Sequence, residues 1–86
     1  MSASIYELDI LLFGPAAMAA GCSAVRVECS AGSSCDAVRE AMRSQHQGIE
    51  AIVKAGRLAV NGAYVDGSTV IEPGDEVALV SLVSGG

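Results

Sequence analysis

The fold of this chain is decided by the stretch IYELDILLF, residues 5–13. Its first half alternates polar and apolar residues, and its second half, residues 10–13, is continuously apolar. This pattern predicts a β-strand with one half-exposed end and one end that is covered on both faces. A second stretch of this kind, residues 76–80, lies near the other end of the chain. We therefore expect these two strands to lie side by side at the centre of a sheet.

A hairpin is predicted to follow the first strand. Gly14 and Pro15 end that strand, and the next residues, 16–20, form either a loop or a short helical turn that ends at Gly21. Residues 25–29 then alternate strictly between apolar and polar types, which is typical of a strand with one wet face. The two strands therefore form a hairpin with a wide connection.

One amphipathic helix is predicted after the hairpin. Ser34 is a suitable N-cap, and Asp36 in the first turn favours the positive end of the helix dipole. The helix has about three turns and ends before Gly48. Its inward face consists of Val38, Ala41 and Met42.

The last third of the chain returns to strands that are separated by tight turns. Asn61-Gly62 is a strong hairpin signal between residues 58–60 and 63–65. Further turns are predicted at residues 66–67 and 73–75. The chain therefore predicts an α+β fold, a mixed sheet of four to five strands packed on one main helix. We expect one domain, residues 1–80, followed by a flexible tail, residues 81–86.

Composition narrows the class of protein. The chain has 86 residues, of which 51% are hydrophobic, and a formal net charge of -5. This acidic charge disfavours nucleic acid and favours a basic protein partner. The longest apolar stretch, residues 10–20, is interrupted by Gly14-Pro15 and is too short to span a bilayer. The N-terminus lacks the basic region of a signal peptide. We expect a soluble, cytoplasmic domain with no membrane partner.

Conventional catalytic and metal-binding motifs are missing from the sequence. The cysteines, Cys22, Cys29 and Cys35, are odd in number and form no CxxC pair, and with the single His46 they do not match a zinc pattern. We interpret each cysteine as a small buried side chain and His46 as a surface residue or a cation at the helix C-terminus. No metal site and no permanently bound cofactor are predicted.

The C-terminal Gly85-Gly86 is the exception. It follows the last hydrophobic strand through a six-residue arm, residues 81–86, that can extend about 20 Å at most. Two glycines have no side chains, so the arm can enter a narrow channel, and the terminal acyl carbon is unhindered. A carboxylate is inert until it is activated, and adenylation by ATP would turn it into a mixed anhydride that a sulphur or amine nucleophile can attack. We predict that Gly86 is the working group.

Five segments carry a resemblance to a known family: ILLF (10–13), SCDAVR (34–39), LAVN (58–61), PGDEVA (73–78) and VSGG (83–86). On these segments the chain resembles the ubiquitin-like β-grasp sulphur carriers, and most closely the small subunit of molybdopterin synthase, the MoaD family. The similarity covers essentially the whole chain. The tail and PGDEVA are its most specific parts.

This resemblance implies a function and a set of partners. A ubiquitin-activating-like adenylyltransferase would use ATP to adenylate Gly86, and a sulphur donor protein would then convert it to a thiocarboxylate. The tail, including Ser84 and Gly85, would enter the large molybdopterin synthase subunit and give sulphur to cyclic pyranopterin monophosphate. The complex would be a heterotetramer. The chain itself would be a non-catalytic subunit, because residues of the large subunit would perform the acid–base chemistry.

Two segments depart from the family pattern. Residues 16–20 stand where family members often have a charged pair, and Ser81-Leu82 stands where prolines are common. The second departure predicts a less rigid tail, since proline presets an extended backbone. Leu82 and Val83 are apolar, but they lie beyond the last strand and have little to pack against in the monomer. We predict that they form a docking patch for the large subunit together with Phe13 or Leu79.

Three alternatives remain open from the sequence. The thiamine-pathway carrier has the same fold and the same terminal chemistry, but its first hairpin is tighter than residues 14–22 allow. A ubiquitin-like modifier would join Gly86 to lysines, and Lys54 would then be the only residue available for self-linked chains. A plain interaction module would have a tail without function.

Overall fold

The computed structural model of the protein describes residues 4–81. The chain forms five strands and three helices in that range, and a 3₁₀ turn at Gln47–Ile49 precedes the third helix. In chain order these elements are β1 (Ile5–Phe13), α1 (Pro15–Ala20), β2 (Ala24–Ser30), α2 (Cys35–Gln45), α3 (Glu50–Ala55), β3 (Gly56–Val60), β4 (Ala63–Tyr64) and β5 (Val77–Ser81). Residues 82–86, which hold nearly all of the predicted tail, lie outside the described range.

The strands form one mixed sheet in the order β2-β1-β5-β3-β4. β1 and β5 are parallel neighbours, with Ile10 opposite Val77 and Phe13 opposite Val80, whereas the other pairs are antiparallel. The prediction that the two most apolar strands lie together at the centre is confirmed. Its physical basis is that only central strands have neighbours on both sides and lose most of their contact with water.

The wide connection of the first hairpin contains a short helix. Pro15 occupies its first turn, where a missing N–H costs nothing, and Ala16 is buried. Gly21 ends it in a left-handed conformation with φ 74°, and its N–H donates to the carbonyl of Ala17. Of the two forms predicted for residues 16–20, the helical one is therefore correct.

Helix α2 begins where its sequence predicts. The N–H of Ala37 donates to the Ser34 side chain at 3.2 Å, which satisfies one of the free donors of the first turn. Two further donors of this end bind a distant segment, since Cys35 N–H donates to Thr69 O and Asp36 N–H to Gly67 O. The start of α2 is thereby tied to the chain between β4 and β5.

The core lies between one face of the sheet and the helices. Alternate residues of β1, namely Leu8, Ile10 and Leu12, point toward it, and Val38 and Met42 meet them from α2. Ala41, predicted on the same helix face, is half-buried at the margin of this cluster. Among residues 4–81, no helix is long and apolar enough to cross a membrane.

Candidate functional site

The face of the sheet that points away from α2 carries an apolar groove. We call it the open face, and it holds the residues of each strand that alternate with the core residues. The groove has a volume of about 340 Å³ and runs across β1, β5, β3 and β4. Its lining residues are Leu11, Phe13, Ala59, Gly62, Tyr64, Glu76, Ala78 and Val80.

Two aromatic rings are the most accessible large side chains of the groove. Phe13 is 54% exposed and Tyr64 is 49% exposed. The guanidinium of Arg57 stacks over the Tyr64 ring at 4.6 Å from the centroid. Aromatic residues and arginine are the side chains that most often dominate binding energy at protein interfaces. The groove therefore has the chemistry of a protein docking site rather than of a catalytic pocket.

The other half of the open face is charged. Arg26 on β2 forms an ion pair with Asp9 at 2.9 Å and lies 3.6 Å from Glu7 on the same neighbouring strand. The hydrogen bond from Arg26 lowers the pKa of the Asp9 carboxyl below its usual value. Glu28 stands opposite Glu7 in the register. Acidic groups thus border the groove on the side of the first hairpin.

One end of the groove lies at the last described residues of β5. Phe13 and Val80 are register partners at the end of β1, and Ser81, the last described residue, pairs with Gly56 at the start of β3. The described part of β5 therefore ends close to Phe13. A partner that covers the groove would contact Val80, the residue next to the last described one.

Of the two described residues offered for the predicted docking patch, Phe13 or Leu79, the first is exposed and the second is buried. Phe13 is exposed in the groove, as predicted. Leu79 is fully buried, with 0% exposure, because its position on β5 points its side chain at the helices. The alternation of a strand places the neighbouring Val80 on the open face instead.

The remaining predicted site residues, namely Leu82, Val83, Ser84, Gly85 and Gly86, lie outside the described residues. Sequence reasoning missed Leu11, Tyr64 and Val80 as groove residues. The sequence did contain a signal for Leu11, because Leu11 lies two residues before Phe13 in the same strand and therefore faces the same side of the sheet. Tyr64 could not be found in this way, since its place depends on the pairing of β4 with β3.

The cysteines divide into two kinds. Cys29 and Cys35 are buried as predicted, and burial raises the pKa of both thiols. Cys22 is exposed in the turn between α1 and β2, so its predicted burial is wrong. Its place in a turn, just after the Gly21 cap, gives it no sheet or helix face to pack against. Across residues 4–81 no cluster of three or more His, Cys, Asp or Glu side chains could hold a metal ion.

His46 caps the C-terminal end of α2 and is half-buried. Its Nε2 atom lies 2.7 Å from the carbonyl oxygen of Arg26 on β2. This ring therefore makes a structural contact with the sheet.

Comparison with known proteins identifies relatives of the chain. The family model described as the ThiS family matches residues 10–86. A search of curated proteins finds no significant match.

Solved structures of the same fold include archaeal and bacterial proteins. Small archaeal modifier protein 1 from Haloferax volcanii is 26% identical, with a TM-score of 0.80 over 94% of this chain and 100% of that one. A protein assigned as molybdopterin converting factor subunit 1 from Pyrococcus furiosus is 20% identical, with a TM-score of 0.75 over 90% of this chain and 98% of that one.

A third structure is a complex of subunits 1 and 2 of molybdopterin-converting factor from Helicobacter pylori. The matched chain is 18% identical, with a TM-score of 0.66 over 94% of this chain and 100% of that one. These likenesses confirm the ubiquitin-like β-grasp fold that the sequence resemblance implied.

Proposed function

The chain belongs to the ThiS family, and from this premise we propose that it is a sulphur carrier of molybdenum cofactor biosynthesis. The carrying group is the carboxylate of Gly86. The chain gives its sulphur to cyclic pyranopterin monophosphate within a large molybdopterin synthase subunit. The single observation that supports this proposal best is the family match, since it extends from within β1 through the terminal Gly85-Gly86.

The proposed chemistry has three steps. The Gly86 carboxylate attacks the α-phosphate of ATP, which forms an acyl adenylate and releases pyrophosphate. The terminal sulphur of a persulphide on a donor protein then attacks the acyl carbon and expels AMP, which gives an acyl disulphide. A thiol attacks the donor cysteine's sulphur in this acyl disulphide, so a disulphide forms between the thiol and the donor cysteine and the thiocarboxylate is left on Gly86. The chain contributes an unhindered acyl carbon, and the activating enzyme contributes the ATP site.

Docking through the groove would bring this group to the large subunit. The groove lies at the tail end of β5, and its aromatic residues, Phe13 and Tyr64, are already exposed in the free chain. The Helicobacter pylori structure, in which subunits 1 and 2 form a complex, supports a partner of this class. On this proposal the chain binds the large subunit and delivers the sulphur on Gly86, while the large subunit holds the acid–base residues.

A modifier function is the second candidate, and a specific observation favours it. The Haloferax volcanii relative, at 26% identity, is described as a small archaeal modifier protein. A modifier would use the same acyl adenylate but transfer Gly86 to an amine. Lys54 is exposed on α3, so linkage of one copy to another would be sterically accessible. The thiamine-pathway carrier remains the alternative within sulphur transfer, and the helix α1 in the first connection supports the molybdopterin assignment over it.

Intact-mass measurement tests the proposal. The chain is incubated with ATP, a ubiquitin-activating-like adenylyltransferase and a persulphide donor, and the expected product has one terminal oxygen replaced by sulphur. Deletion of Gly86 should abolish this product and molybdopterin formation, and the unfolding midpoint should stay the same. Mass added to lysines of other proteins would instead support the modifier. Molybdopterin formation by the truncated chain would refute the central role of Gly86.

A further inference from the structure

β2 forms one edge of the sheet, and alternate peptide groups along it point away from β1. The N–H of Leu12 donates to Ser23 O, and the N–H of Ala31 donates to Ser4 O, so the odd-numbered positions of β2 face β1. The backbone groups of Arg26 and Glu28 must therefore face outward. Outward groups of an edge strand are a template on which another strand can pair.

The end of α2 covers these outward groups with side chains. The Gln45 amide accepts a hydrogen bond from Glu28 N–H at 2.9 Å and donates one to Glu28 O at 2.9 Å. His46 Nε2 lies 2.7 Å from Arg26 O, where it donates. The Gln45 carboxamide has the same donor and acceptor as a peptide group, so it occupies the place that a partner strand would take.

The edge is otherwise well suited to pairing with a second copy of itself. In an antiparallel arrangement centred on Val27, Arg26 of one copy lies opposite Glu28 of the other. Both residues have outward-facing backbone groups, so each pair can exchange two hydrogen bonds. Their side chains carry opposite charges, which favours the pairing. The charges of β2 therefore do not protect this edge against self-association.

We propose that Gln45 and His46 close the β2 edge against strand pairing with a second copy of this chain. The two side chains keep the carrier monomeric and leave the open face free for its partners. The inference concerns self-association and goes beyond the proposed sulphur transfer. Its test measures self-association and does not involve the chemistry of Gly86.

Sedimentation of the Gln45→Ala/His46→Ala double variant tests the proposal. Gln45 is exposed, His46 is half-buried and neither belongs to the buried core, so the variant should fold, which circular dichroism checks. We expect its dimerisation constant to be at least about tenfold tighter than that of the wild-type chain, because three competing hydrogen bonds are removed. The matched control is Glu40→Ala/Arg43→Ala, which removes an ion pair of α2 that does not touch β2. This control should sediment like the wild type.

Adding Glu28→Arg to the double variant identifies the interface. This change places arginine opposite Arg26 in the proposed register, so the triple variant should return to the monomer. A double variant that stays as monomeric as the wild type would overturn the proposal. Dimers that survive Glu28→Arg would overturn it as well, since association would then use another surface.

Amide hydrogen exchange provides a second measurement that does not require dimers. Gln45→Ala removes the acceptor of the Glu28 N–H together with the donor to Glu28 O. At low protein concentration, we expect the Glu28 amide to exchange at least about tenfold faster than in the wild type. The Cys29 amide, which faces β1, should keep its rate. Equal rates at Glu28 in both chains would show that Gln45 does not cover the edge.

Discussion

At the scale of single residues, the proposed function divides between exposed aromatic side chains and a terminal carboxylate. Phe13 is paired with Val80 on β5, yet its ring faces water because its parity places it on the open face. A large apolar side chain exposed beside the start of the tail favours a binding role. Leu79, one residue before the register partner of Phe13, illustrates the opposite parity and belongs to the core.

Truncation of Phe13 tests the docking role of the groove. We expect Phe13→Ala to weaken binding to a large molybdopterin synthase subunit by about 2 kcal/mol, roughly 30-fold in Kd, as is typical of a hot-spot residue. Ile5→Ala is the matched control, since Ile5 is 67% exposed on the same face of β1 at its far end. Calorimetric titration should show a loss of affinity for the large subunit with Phe13→Ala only. Equal losses for both variants would contradict a localised site.

At the scale of elements, the junction of α3 and β3 is packed closely against β5. Gly56 ends α3, starts β3 and pairs with Ser81 of β5. A Cβ atom at Gly56 would lie 2.9 Å from Leu79 Cδ1, 3.0 Å from Val80 O and 3.2 Å from Ile52 O. Two of these three atoms belong to the backbone and cannot rotate away. The element boundary therefore requires glycine for space, in an extended conformation that any residue could adopt.

Substitution of Gly56 should destabilise the fold. We expect Gly56→Ala to lower the free energy of unfolding by about 1–3 kcal/mol, the usual cost of overpacking. Gly48→Ala is the control, because a Cβ there meets nothing within 4 Å. Urea denaturation of both variants measures the difference. An unchanged urea midpoint for Gly56→Ala would contradict this prediction, because it would mean that the neighbouring atoms make room for the added methyl group without loss of stability.

At the scale of the whole molecule, one face of the sheet packs against the helices and forms the buried core, and the other is the open face. The core holds two thiols, Cys29 and Cys35, and burial raises the pKa of each. Burial also raises the pKa of Tyr6, whose hydroxyl donates to Ile71 O. All three groups therefore keep their protons in the folded chain at pH values where the unfolded chain begins to lose them.

This difference predicts a loss of stability in alkali. Free thiols ionise at about pH 8.5, so the contribution of the buried thiols is complete below that pH and is lost as pH rises toward their folded pKa. The free energy of unfolding, measured by urea titration at several pH values, should decrease above about pH 8.5. Cys29→Ala/Cys35→Ala should reduce this slope, whereas Cys22→Ser, at the exposed thiol, should preserve it. A slope that is independent of the two buried thiols would contradict the assignment.

The sequence by itself determined the order of elements, their caps and the identity of the terminal group. These features are local: alternation in residues 5–13 defines a strand, Ser34 caps the helix that follows it, and Gly85-Gly86 needs no neighbour to be recognised. The sequence left residues 16–20 as either a loop or a helical turn, because the five residues of high helix propensity after Pro15 are too few to form a stable helix without the packing of Ala16 into the core.

Only the tertiary structure decided which side of each strand faces the helices and which segments meet across the sheet. It placed Leu79 in the core and Val80 in the groove, brought Tyr64 and Arg57 together, and set Gln45 against the edge of β2. The physical reason is that these contacts join residues far apart in the chain. Their positions depend on strand register and helix placement, which result from the packing of the whole core.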